Sequence, residues 1–583
     1  SQNFETINGS LLKINKDLKR KLHLDMGEIR HIDLMFGSYS PYAHLTEDFF
    51  DNKIAFVVTL NFPYYSLEQM TEKAGDWTRK EWAYARMGGM YTARPPASLL
   101  QKVAGESTAS DTYISEYNIY MGKLTDKQGE TFFPSDLKLI THWGLRDELK
   151  SNYAEADGLE KQEMIYQVMK RIIDQSIPGK VINSDNYYWD PYENTVTDAD
   201  GNNVVYEPEP DTRYQYLLNN FKAQEKLDAY YPHYENFIQR KFEGDYEIPQ
   251  EDVEKLFRDF VSSSTVKKVG ELISRRLGRD LEPFDIWYDG FKARSAIPEE
   301  KLDRIVKQKY PTREAFEKDL PNLLMNLGWD KEKAESIGSR IQVDPARGAG
   351  HAWGAESREF PAHLRTRFSG DGMDYKGYNI AMHEFGHTVE QTITLHDVDY
   401  YMLRGVPNTS FTEALAFMFQ KRDLDMLGLT EGSSEKEAMM ALDNFWSSYE
   451  IMGVSLVDME VWKWMYQNPD ASPSELKEAV IRIAKEVWNT YYAPVFGMED
   501  EPVLAIYSHM IDNPLYLSAY PIGHLIDFQL EKEIAGNNFA GEVMRIFTMG
   551  RIIPQYWMQQ AVGNRISGDP LIEEADKAVR VVE

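Results

Sequence analysis

The sequence predicts a mainly α, globular protein, and three observations lead there. Long segments repeat apolar residues at three- and four-residue spacing, which is the period of a helix with one buried face. The 583 residues include 35 Tyr, 27 Phe and 12 Trp, far more large apolar side chains than a chain unable to form a core carries. Strand-like alternation, by contrast, is confined to short stretches. The length admits two to four domains of ordinary size or one large helical body.

In chain order, the helical pattern covers 47–51 leading into 67–87, then 158–175, 253–276, 434–449 and 474–491. No repeat of 20 to 50 residues runs through the sequence, so a solenoid is not expected. Residues 186–213 break the helical pattern with Tyr, Asp, Asn and Pro, and 195–206 reads as a hairpin turning at Asp200-Gly201. Asp198 and Asp200 there lack the fixed spacing of a calcium loop, and their turn-forming chemistry accounts for both. Further on, Arg347-Gly-Ala-Gly-His-Ala-Trp-Gly354 is Gly-rich but lacks the Lys-Ser/Thr that completes a phosphate loop. It reads as a loop before a strand at 362–368. A strand edge at this place could add an extended peptide by main-chain pairing.

Composition narrows the function. Acidic residues number 93 against 64 basic, a net charge of −29, which repels a phosphate backbone and argues against a nucleic-acid partner. With no cysteine, disulfides, thiolate ligands and a thiol nucleophile are all excluded, so any metal must be held by His, Asp or Glu. The most apolar stretches, 54–62 and 505–523, are too short or too interrupted to span a bilayer, so the chain is expected to be soluble. It begins at Ser1 without a charged-then-apolar leader, as a processed or trimmed chain does, which leans toward an exported or periplasmic protein over a cytoplasmic one. No obligatory protein partner is evident.

The chemistry concentrates in Tyr378-Asn-Ile-Ala-Met-His383-Glu384-Phe385-Gly386-His387-Thr-Val-Glu390. Histidines at i and i+4 lie one turn apart on one helix face, so both imidazoles reach one metal ion, with Glu384 projecting beside them. In a chain with 12 His, a chance His-Glu-x-x-His is expected only ~0.02 times. A catalytic zinc takes three protein ligands and keeps one position open. The extended signature would place Gly and His where this chain has Glu390 and Ile393. Downstream candidates are His396, Asp397, Asp399 and Glu413. The first three sit in a polar stretch that reads as the end of the helix or a loop. Glu413 heads an almost wholly apolar helix, where an ionised carboxylate costs several kcal/mol unless a cation neutralises it. Ser410-Phe-Thr-Glu413 equally fits a capping box, in which Glu413 would bond back to the amide of Ser410. Spacing alone leaves both readings open.

These residues resemble the glutamate-zincin peptidases of the thimet oligopeptidase and oligoendopeptidase F type, and more distantly the peptidyl-dipeptidases related to angiotensin-converting enzyme. Those families carry a Glu about 25 residues beyond the histidines in an Asp-Phe-Val-Glu-Ala-Pro-Ser segment, and Ser410-Phe-Thr-Glu413-Ala-Leu-Ala416 takes that place here. Arg276-Leu-Gly-Arg-Asp-Leu-Glu-Pro-Phe-Asp-Ile-Trp287 is similar to a family segment preceding the catalytic core. Tyr507-Ser-His509-Met-Ile-Asp-Asn-Pro514-Leu-Tyr516-Leu-Ser-Ala-Tyr520-Pro-Ile-Gly523 resembles the family's His-Phe-Tyr-x-Pro-Phe-Tyr-x-x-x-Tyr segment. The likeness runs in patches over 265–565. It implies one Zn²⁺ held by His383, His387 and Glu413, Glu384 as the base, and His509, Tyr516 and Tyr520 as further catalytic groups. Ser410, Leu415 and Ala416 depart from the family pattern, so contacts around the ligands are expected to differ.

Read physically, Asn513-Pro514 is a good helix start, which would put Tyr516 and Tyr520 at i and i+4 on one face as donors to an oxyanion, assisted by His509. Core packing is the alternative for each Tyr, and the resemblance favours the catalytic role. Pro521 would then kink that helix. The fold implied by the resemblance is a two-lobed helical ellipsoid with a deep channel and a small β element beside the zinc helix, made of an N-terminal lobe over 1–265, with its hairpin near 186–213, and a catalytic zincin lobe over 266–583. Such a channel implies an oligopeptidase acting on short unstructured peptides. Arg347, Arg365 and Arg367 are candidates for capturing a peptide terminus. Two other readings stay open: a catalytically silent helical peptide-binding protein, which the intact Glu384 disfavours, and a zinc hydrolase of a non-peptide amide.

Overall fold

A computed structural model describes residues 2–292, 297–348, 350–429 and 434–583. Helix makes up 62% and strand 6%, so the molecule is mainly α with small sheets. No helix among the described residues is long and apolar enough to cross a membrane.

The expected helices form with three changes of boundary. The 67–87 segment is two helices, Leu67–Lys73 and Arg79–Gly88, because Thr78 caps a new start by accepting from the Glu81 amide while the Glu81 side chain bonds back. The 253–276 segment divides at Ser262-Ser263 into Gln250–Val261 and Ser264–Leu277. The third helix is longer than its periodicity suggests. Ser434–Gln467 runs 34 residues, and it buries Phe445, Met452, Val457, Val461, Trp462 and Met465 completely. Packed against Asp569–Val582, Pro473–Tyr491, Ala519–Ile534 and Gln250–Val261, it buries apolar side chains around most of its circumference and shows no single hydrophobic stripe.

Among the described residues, seven short strands make three sheets. β1 (Asn118–Tyr120) pairs antiparallel with β2 (Lys138–Ile140), and β3 (Tyr188–Asp190) with β4 (Thr195–Thr197). Beyond β4 the chain turns again at Asp200-Gly201 and brings Asn203 against Thr197. Asp198 Oδ1 accepts from the amides of Asp200 and Asn202, so its carboxylate serves the turn.

The third sheet positions the site. β5 (Ile341–Pro345), β6 (His351–Trp353) and β7 (Ala362–Thr366) stand in the order β5-β7-β6, with β7 parallel to β5 and antiparallel to β6. Two expectations are corrected here. The 362–368 strand ends at Thr366 and lies in the middle of its sheet, and part of the Gly-rich segment, His351–Trp353, supplies the edge. Alternate residues of β7 face opposite ways. Thr366 donates to the Gly377 carbonyl of the Tyr375–Asp397 helix, while Arg365 reaches His23 at the end of the Gln2–His23 helix.

One apolar core extends from Met70 to Val579, and a small separate cluster of Phe49, Ala55, Val58 and Tyr91 sits near the N-terminus. Within the core, Thr409–Gln420 lies between Tyr375–Asp397 and Ala519–Ile534. Phe385, Val389 and Ile393 are fully buried, each contributing roughly 1.5–3 kcal/mol. Two glycines allow the close approach. A Cβ on Gly386 would lie 2.5 Å from Ala416 Cα, and one on Gly523 would lie 2.9 Å from Glu413 Cβ.

Candidate active site

Asp374 starts the histidine helix by accepting from the Gly377 amide at 2.6 Å. Two turns on, the His383 and His387 rings stand 4.8 Å apart and nearly perpendicular. The neighbouring helix is capped by Asn408, whose side chain accepts from the Ser410 amide at 2.9 Å. Asn408 therefore does the work that a capping box would have assigned to Glu413. Glu413, 3% exposed, instead turns toward the histidines. Its Oε2 lies 3.3 Å from His383 Nε2 and 3.7 Å from His387 Nε2, and its Oε1 accepts from the Tyr516 hydroxyl at 2.7 Å.

Two imidazole nitrogens and one carboxylate oxygen lie within 4.8 Å of one another, and among the described residues these three alone form such a group. Glu413 Oε2 is buried without a hydrogen-bond partner, which is costly for an ionised oxygen unless a cation meets it. Two nitrogens and one oxygen match the donor set of a catalytic zinc. The residues present fit the metal.

The electrostatics agree with this arrangement. Burial would raise Glu413, but His387, His383 and the Tyr516 hydroxyl more than offset it and hold its carboxyl down at about 2. His383 would be lowered by burial and is raised by the nearby carboxylates of Glu413 and Glu384. Burial brings His387 down to about 4 and pushes Glu384 up to about 8. Glu384 is 6% exposed and hydrogen-bonds the backbone of Ala352 on the edge strand β6.

The two imidazoles are supported differently. His387 Nδ1 lies 2.9 Å from Thr412 Oγ1, and Thr412 also hydrogen-bonds the buried Glu390 carboxyl, which accepts from Thr394 at 3.0 Å. Such contacts fix ring orientation and tautomer. His383 Nδ1 has no hydrogen-bond partner. Sequence reading passed over Thr412 and Glu390, although a Glu one turn beyond His387 in an apolar helix was a signal that it needed a buried partner.

The aromatic segment differs from expectation. Residues 513–518 form turns, with Leu515 at φ 52°, and the helix begins at Ala519. Pro521 consequently lies in the first turn, where a missing amide breaks no helical bond, and no kink follows. Tyr516 and Tyr520 still meet, their rings 5.4 Å apart, because the turn folds one onto the other. His509 stands between Tyr516 at 5.3 Å and Trp143 at 5.0 Å, parallel to Tyr520 at 6.3 Å, and its Nδ1 pairs with Asp512 at 2.8 Å. The Tyr516 hydroxyl is engaged by Glu413. The Tyr520 hydroxyl makes no hydrogen bond among the described residues and is half-buried at the site.

The other candidates lie elsewhere. Asp397 pairs with Lys333 and Asp399 with Arg79, both at 2.6 Å, and His396 is more than two turns beyond His387 on the same helix. Arg347 bonds Glu116 and the Gly27 carbonyl, Arg365 bonds His23 and His351, and Arg367 bonds the Gly348 carbonyl. Each of the three guanidinium groups is held by structural partners, with Nε of Arg347 and of Arg365 left unbonded.

No family model matches the chain, and no curated protein matches it in sequence. Solved structures do match in fold. A Chlamydophila abortus protein assigned as a peptidase superposes with a TM-score of 0.56 at 12% identity, over 100% of this chain and 89% of its own. PZ peptidase A, solved with an inhibitor, gives 0.56 at 12% over 100% and 97%. A protein assigned as oligoendopeptidase F gives 0.56 at 12% over 99% and 96%. The chain shares the mainly helical fold of these solved structures.

Proposed function

We propose that the protein is a zinc-dependent peptidase of the glutamate-zincin class that hydrolyses short unstructured peptides. The observation that carries this reading is the unpartnered Glu413 Oε2, buried beside the imidazole nitrogens of His383 and His387, the first of which neighbours Glu384 in the chain. His383, His387 and Glu413 would hold one Zn²⁺, which when bound acidifies a water and polarises a carbonyl.

The chain's own residues supply the rest. Glu384 accepts the proton of the attacking water and passes it to the leaving amine. The free edge of β6 pairs with the extended peptide and brings a carbonyl alongside Glu384. Tyr520, with its hydroxyl uncommitted, donates to the oxyanion, an effect worth roughly 3 kcal/mol. Tyr516 holds Glu413, and His509, oriented by Asp512, stacks with the phenols and keeps them in place.

Glu384→Gln separates metal binding from turnover. Zinc content should be unchanged, while cleavage of a mixed peptide library falls by more than about a thousandfold. A variant cleaving as fast as the parent would remove Glu384 from the mechanism. A parent that binds zinc but cleaves no peptide in the library would point to a binding protein or to a non-peptide amide.

A further inference from the structure

On the far side of the same sheet, away from the histidines, residues of the Gln2–His23 helix, β5 and β7 line a cavity of about 300 Å³. This is at the lower end for small-molecule sites. Its lining carries four basic side chains, Lys13, Lys16, Arg20 and Arg365, against three carboxylates, in a chain whose net charge is −29. Lys16 is 9% exposed, and its ammonium makes no ion pair or hydrogen bond among the described residues. Lysines buried to this degree almost always have a partner.

Two of the three carboxylates nearby are spent on other groups. Asp344 binds His363 Nδ1 at 2.7 Å and lies 3.7 Å from Arg365 Nε. Glu356 accepts from Arg404 at 2.7 Å. Asp17 is exposed at the rim. Arg365, 2% exposed, keeps Nε without a hydrogen bond. Leu12, Leu24 and Phe360 give the cavity an apolar side.

We propose that this cavity binds a small oxyanion, a carboxylate or a phosphate, which pairs with the Lys16 ammonium. The anion enters past Lys13 and Arg20, the exposed basic groups at the mouth, and rests its body on the apolar wall. Burial and the charge of Arg365 lower Lys16 to about 8, against the opposing pull of Asp344, Glu356 and Asp17. An anion in the cavity removes that penalty. The proposal uses no residue of the metal site and stands apart from the peptidase reading.

Thermal unfolding of the full chain tests it, with sodium phosphate, sodium acetate and sodium chloride compared at equal ionic strength. Phosphate or acetate should raise Tm saturably by about 2 °C or more relative to chloride, and Lys16→Met should abolish the rise. The arm that responds identifies the oxyanion. Isothermal titration with that anion should show at least about tenfold weaker binding to the variant. Lys16→Gln replaces the Met variant if the latter does not fold. The proposal is overturned if neither anion exceeds chloride, or if the rise persists undiminished without the Lys16 charge.

Discussion

Two buried charged groups flank one three-stranded sheet and are neutralised in opposite ways. On the inner face, Glu413 has His383, His387 and Tyr516 around it, and its carboxyl is held at about 2. On the outer face, Lys16 has no bonded partner, and its ammonium is lowered to about 8. Both positions lose water, and only one is supplied with side chains that replace it. A buried charge with a full set of ligand-type neighbours belongs to a site the fold has assembled. One that opens unpaired on a cavity belongs to a site whose last partner comes from solution.

The comparison breaks most sharply at Glu413. Glu413→Ala should weaken zinc binding by more than about a hundredfold in a chelator-competition titration and abolish peptide cleavage, because it removes one of the three proposed ligands. Retention of parental zinc affinity would return Glu413 to a structural role.

Thr412→Val sharpens the inner half. It deletes the hydroxyl beside His387 Nδ1 while preserving shape, so zinc affinity should fall roughly tenfold to a hundredfold, alongside the Tm loss expected when the buried Glu390 carboxyl loses a partner. An unchanged affinity together with a lowered Tm would show that Thr412 serves packing alone.

Lys16→Met tests the outer half by its pH dependence in chloride. A lysine whose folded value lies below its unfolded one holds fewer protons in the native state between about pH 8 and 10.5. The parent therefore gains stability across that window. The variant lacks the penalty throughout, so it should exceed the parent by about 3 kcal/mol at pH 7, and the gap should close toward pH 10.5. A gap that stays constant with pH would mean that the lysine's charge is not strained.

How much of this could be read in advance followed the range of the interaction. His383 and His387 were legible because a one-turn spacing is a local fact. Glu413 lies on another helix, and spacing could not decide between ligand and cap. Asn408, a stronger cap two residues before Ser410, was the clue that freed it. Pro514 reads as a helix start only until Leu515 adopts a left-handed backbone, a choice made by packing. The strand order was illegible because β5 reaches its parallel partner β7 across a long connection that also holds β6. Lys16 sits in a polar helix, and nothing local reports that a sheet will cover it.

The central claim is that His383, His387 and Glu413 hold one catalytic zinc. Its most direct test is metal analysis of the purified chain combined with mass-spectrometric mapping of cleavage in a peptide library, before chelation, after chelation and after zinc is restored. The account predicts one zinc per chain, cleavage lost with the metal and recovered with it. Undiminished cleavage by the metal-free protein would contradict it.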